Sequence, residues 1–140
     1  VKLIAHRGNF LGKNVDCENT NEYILKALNR GLDCEIDLWR RDGILYLGHD
    51  RPKDIFDVSM LMNYSNSLWI HCKDAEVLDY LSSYDNLNIF YHNSDDRVLT
   101  SKKNIWVYPD KKLTPNSVMV KFDKVKKEDL LQDICDYSHE

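Results

Sequence analysis

Polar and apolar residues alternate along Asp33–Trp39. Strand side chains point to opposite faces in turn, so Cys34, Ile36 and Leu38 share one face and Glu35 and Asp37 the other. Asp42-Gly43 then reads as a tight turn into a short second strand, Ile44–Gly48, which carries His49-Asp50 back toward the carboxylates. Upstream, the apolar run Lys2–Ala5 reads as a buried first strand with His6-Arg7-Gly8 at its C-terminal tip. Asn9–Cys17 has no period and reads as a loop. Asn19, with Glu22 three residues on, signals a helix start, and Asn19 is the expected cap. Tyr23, Ile24, Ala27 and Leu28 follow at helical spacing, and Gly31 closes the helix before a strand over Leu32–Trp39. The strand starts are roughly 30 residues apart, the length of a βαβ unit with parallel strands.

Beyond the hairpin, Arg51–Ile55 reads as a connector, and Asp57 as the cap of a brief helix through Val58, Leu61 and Met62. Ser67–Cys72 is the third parallel strand, and Asp74 caps a helix that turns Val77, Leu78 and Leu81 inward. Leu87–Tyr91, Asn104–Tyr108 and Ser117–Phe122 are the remaining strands. Lys126–Ile134 is a modest amphipathic helix, and Cys135–Glu140 reads as either a frayed tail or a vestigial strand. Alternating strands and helices predict an α/β domain over residues 1–140 with a mainly parallel sheet. The later units are too short for full helices. The expected fold is therefore a reduced or incomplete (β/α) TIM-type barrel, since a complete one needs about 250 residues. Six strands cannot close as eight do, so an exposed edge or a homodimer that covers it is expected.

Composition changes this picture little. The 140 residues are 43% apolar and 30% charged, with a net charge of −4 that offers nucleic acid no basic field. No run is as long as a membrane helix. The start, VKLIAHRG, has no signal-peptide pattern, so a cytoplasmic protein is expected, although a chain beginning at Val1 leaves a preceding segment open. Cys17, Cys34, Cys72 and Cys135 lack CxxC spacing, and Cys34 and Cys72 are expected as buried thiols.

Chemistry-bearing residues gather at strand C-terminal ends, where parallel α/β folds build their sites: His6-Arg7, Glu35/Asp37, His71/Lys73 and His92. Two carboxylates on one strand face are half of a divalent-metal site, or else solvated acids on a surface hairpin. The series Ile4-Ala5-His6-Arg7-Gly8, Glu18-Asn19-Thr20, Ala27 to Gly31, Glu35-Ile36-Asp37, Asp42-Gly43 and His49-Asp50 resembles the glycerophosphodiester phosphodiesterase family, a group of phospholipase C-like TIM-barrel enzymes. The resemblance covers roughly the first 50 residues.

It implies that His6 and His49 form a general acid/base pair, Arg7 grips a phosphate oxygen, and Glu35 and Asp37 hold a divalent cation. It places Glu18 and Asn19 behind these groups. The small-molecule substrate it implies is a phosphodiester, attacked first by a hydroxyl neighbouring the phosphate.

The chain departs from the family pattern at Trp69–Lys73, where His71 replaces the usual third carboxylate ligand and Lys73 shares its strand face. As a ligand, His71 favours Mn²⁺ or Zn²⁺ over Mg²⁺ or Ca²⁺; otherwise it is a packed core histidine. The family's insertion after His49-Asp50 is missing, so the substrate side is expected to be open. His92, Trp106 and Tyr108 are candidate substrate contacts from the second half, set against a solvated histidine and plain aromatic packing. His139 has no expected role. The leading expectation is thus a phosphodiester hydrolase with one divalent metal ion. The alternatives are an inactive phosphate- and metal-binding module of the same fold, and a fold in which the motifs are incidental.

Overall fold

The computed structural model of the chain describes residues 3–109, 111–119 and 136–137. The first strand, β1 (Ile4–His6), leads through a loop to helix α1 (Asn21–Asn29) and the long strand β2 (Asp33–Arg41). Helix α1 ends in a Schellman turn: Gly31, at φ +79°, donates its N–H to Leu28 O, and Leu32 donates to Ala27 O. Strand β2 turns through Asp42 and Gly43, both at positive φ, into antiparallel β3 (Ile44–Leu47). This is the two-residue turn that Asp-Gly favours. The expected connector after His49 contains a further short strand, β4 (Asp54–Ile55), antiparallel to β3.

The chain continues through α2 (Ser59–Asn63), β5 (Leu68–Cys72), α3 (Ala75–Ser82) and β6 (Asn88–Phe90). Asp57 accepts from the Ser59 N–H and hydroxyl before α2, whose buried side chain is Met60, with Val58 and Met62 left exposed. Asp74 caps α3 as expected, accepting from the Val77 N–H at 2.7 Å. The last described strands are β7 (Arg97–Leu99), β8 (Ile105–Val107), β9 (Ser117–Met119) and β10 (Asp136–Tyr137). The helix expected over Lys126–Ile134, like His139, lies outside the described residues.

The expected mainly parallel reduced barrel is not what forms. Both sheets are mixed: β10, β1, β2, β5 and β6 are parallel neighbours, while β3 and β4 extend the same sheet antiparallel. A second sheet runs β7-β8-β9, with β7 antiparallel and β9 parallel to β8. Among the described residues no pairing closes them into a barrel. The reason is connection length. The Asp42-Gly43 turn makes β3 fold back antiparallel on β2, and residues 100–104 allow only an antiparallel return from β7 to β8.

The main core lies on one face of the large sheet, where Cys34, Ile36 and Leu38 meet Ile24, Ala27 and Leu28 of α1 and Val77 and Leu81 of α3. On the other face Ile4, Trp69, Phe90, Trp106 and Val118 form a smaller apolar floor that draws in the second sheet. Polar residues of the same strands stand above it. Cys34 and Cys72 are buried thiols, and burial pushes that of Cys72 up to about 12.

Candidate functional site

Alternation and register together build the site. Glu35 and Asp37 occupy the face of β2 opposite the main core, and both are buried. Strand β1 sets His6 beside Glu35, and β5 sets His71 beside Asp37. The resulting distances are 3.9 Å from His6 Nε2 to Glu35 Oε1 and 3.0 Å from His71 Nδ1 to Asp37 Oδ1. The β3 return delivers His49, whose Nδ1 lies 2.8 Å from Asp50 Oδ1.

One cavity of about 300 Å³ is lined by His6, Arg7, Glu35, Asp37, His49, His71, Lys73, His92, Trp106 and Tyr108, together with Asn93 and Pro109. All the expected catalytic, metal and contact positions therefore face a common space. Glu18 and Asn19 sit behind it. Glu18 accepts from Arg7 Nη1 at 3.1 Å and from Asn9 Nδ2 at 3.0 Å. Asn19 brackets Asp37: its Nδ2 donates to Oδ2 at 2.9 Å, and its Oδ1 accepts the Asp37 N–H at 3.1 Å.

This corrects the helix start. Thr20, not Asn19, caps α1, its hydroxyl accepting from the Tyr23 N–H. Asn19 is held at φ +54°, a conformation that its short amide tolerates. Arg7, at φ +56°, and Gly8, at φ +83°, turn the chain sharply after β1. A Cβ on Gly8 would stand 3.2 Å from the Tyr23 ring and 3.3 Å from Ile24 N, so glycine lets this turn pack on α1.

The electrostatics follow from burial. Burial, reinforced by Arg7, lowers His6 to about 3, so its imidazole is neutral near pH 7. Burial alone would raise the Asp37 carboxyl, but His71, Arg7 and the Asn19 amide outweigh it and hold the group ionised below the usual carboxylate range. Burial also opposes the Arg7 charge, yet Asp37, Glu35 and Glu18 sustain it. Arg7 Nε lies 3.5 Å from Asp37 Oδ2, so much of its fork is spent inside the protein.

His71 is neither loose nor simply packed. Its ring lies near-parallel to those of Phe90, at 5.1 Å, and His92, at 4.5 Å, which are themselves 5.9 Å apart, and its Nε2 lies 3.3 Å from the His92 carbonyl oxygen. His92 is lowered to about 4, first by burial and then by His71 and Lys73. Trp106 is almost wholly buried against Phe90 and Trp69, so packing accounts for most of its surface, whereas Tyr108 is exposed at the rim.

Glu35, Asp37 and His71 could hold a divalent cation. Each offers one ligand atom, and these atoms lie within 4.8 Å of one another. Asp37 Oδ1 is buried with His71 Nδ1 3.0 Å away, so the two candidate ligands already face each other. Two oxygen donors and one imidazole suit Mn²⁺ or Zn²⁺.

Sequence reasoning passed over Asn9. This fully buried amide orients Glu18 and accepts the Asn14 N–H at 3.0 Å. Its place just after His6-Arg7-Gly8 was the available signal. No protein-family model matches the chain, and no curated protein or solved structure was found to match it.

Proposed function

We propose that the chain is a metal-dependent phosphodiester hydrolase acting on a small, glycerophosphodiester-like substrate. The observation that carries this reading is the convergence of His6, His49, Arg7 and the Glu35-Asp37-His71 group on one cavity. A divalent cation held by Glu35, Asp37 and His71 would supply charge neutralisation for the phosphate and acidify the attacking hydroxyl. His6, which lines the cavity beside Glu35, would accept that hydroxyl's proton. His49, with Nδ1 turned to Asp50, keeps Nε2 for the leaving oxygen. Arg7 keeps Nη2 for a phosphate oxygen, and Lys73 adds a second positive charge at the cavity wall.

The described thiols Cys17, Cys34 and Cys72 form no disulfide, which supports a reducing, cytoplasmic setting. No described helix is long and apolar enough to cross a membrane.

The test is turnover of bis(p-nitrophenyl) phosphate and of glycerophosphodiesters after metal removal and re-addition. Mn²⁺ or Zn²⁺ should restore activity, and His6→Ala, His49→Ala and Glu35→Ala should each lower it about 10²–10⁴-fold. One observation favours a non-catalytic metal-binding module instead: much of the Arg7 fork is engaged by Glu18 and Asp37. Absence of turnover, with metal binding that Glu35→Ala removes, would select that reading.

A further inference from the structure

His49 separates two cavities. One holds the Glu35-Asp37-His71 group; the other, of about 320 Å³, is walled by Glu18, Asn19, Val15 and the segment Gly48–Arg51 with Lys53. The charges on this second wall are unevenly matched. Glu18 is taken up by Arg7 and Asn9, and Asp50 by His49. Among the described residues, Arg51 and Lys53 have no ion pair or hydrogen bond from their side chains. Two cations therefore line a cavity whose acids are engaged by other groups.

The segment that carries them is firmly anchored. Gly48 donates its N–H to Asp37 O and accepts from Trp39 Nε1 at 2.6 Å, while the Lys53 N–H bonds Leu47 O at 2.9 Å. A Cβ on Gly48 would lie 1.9 Å from the Arg51 carbonyl oxygen, so the turn closes this tightly only with glycine.

We propose that this second cavity binds a phosphate monoester through Arg51 and Lys53. Arg51 supplies a planar fork for two phosphate oxygens and Lys53 a point charge. Because His49 borders both cavities, a molecule could place its diester at His6 and His49 and its terminal phosphate at Arg51 and Lys53. On the hydrolase reading above, the substrate class is then a phosphodiester with a phosphate monoester on one arm.

The experiment is site-resolved amide NMR titration of the whole chain with inorganic phosphate. Saturable shifts at the amides of His49, Asp50, Arg51 and Lys53 are expected, with the dissociation constant raised about tenfold or more in Arg51→Ala/Lys53→Ala. That double variant should also cut, by about tenfold, the preference in kcat/KM for a diester bearing a terminal phosphate over one lacking it. The absence of saturable shifts at these amides, or shifts that persist unchanged in the double variant, would overturn the proposal. The phosphate titration does not depend on turnover. Binding at Arg51 and Lys53 in a protein without activity would sink the hydrolase reading and leave this site standing; turnover without such binding would do the reverse.

Discussion

Removing the Asn19 amide would strand the buried Asp37 N–H and leave Asp37 Oδ2 with only Arg7 Nε, 3.5 Å away. A buried polar group left without a partner costs about 1–3 kcal/mol, and alanine is also poorly suited to the positive φ held there. Thr20→Ala removes a helix cap, a loss of about 1 kcal/mol. Urea unfolding should therefore rank Asn19→Ala as the more destabilising of the two, with turnover falling only for Asn19→Ala. The reverse order would return the cap to Asn19. The Asn19-to-Glu22 spacing was legible as a helix start, but two adjacent residues were both able to cap it. Only the position of Asp37 across the fold decides between them.

At the scale of elements, the β3–β4 return is where local sequence and site meet. Asp42-Gly43 makes the first turn from local chemistry alone. Gly48 makes the second from tertiary crowding, because the Arg51 carbonyl occupies the space of a side chain. Gly48→Ala should cost about 1–3 kcal/mol by overpacking. It should also displace His49 and lower kcat by about 10²-fold, the usual consequence of shifting a catalytic group by about 1 Å. Unchanged unfolding and unchanged kcat in this variant would contradict the close approach. Strand β4 and strand β7 were not legible. Their side chains are mostly exposed and lack a clear period, so their strand character comes from pairing with a neighbour already in place.

At the scale of the whole molecule, the site lies within the large sheet and its titration is tied to global stability. His6 is neutral in the fold down to about pH 3, whereas in the unfolded chain it takes up a proton below about 6.5. The unfolded state thus binds more protons between these values. The stability contributed by neutral His6 is complete above about 6.5 and is lost as pH falls toward 3. In chelator, unfolding free energy should drop by about 1.4 kcal/mol per pH unit from this residue below pH 6.5. His92, lowered to about 4, works in the same direction. Measuring unfolding at pH 7, 6 and 5 isolates the histidines from most carboxylates, and His6→Gln should flatten the profile. A flat wild-type profile over that range would mean that His6 takes up its proton in the fold as it does in the unfolded chain.

What the sequence determined by itself is the local alphabet of the site. Alternation put Glu35 and Asp37 on one face of β2, Asp-Gly turned the hairpin, Asp74 capped α3, and strand tips carried His6, His49 and His71. These depend on periods of a few residues and on short-range capping and turn chemistry, which the chain encodes directly. The tertiary structure alone decided the sheet architecture and the pairings within the site. Whether β7 enters antiparallel, whether the sheets close, and which partners Asn19, Arg7 and His71 choose depend on residues far apart in the chain. Those contacts are set by packing and by the demand that buried charges be neutralised, neither of which has a period in the sequence.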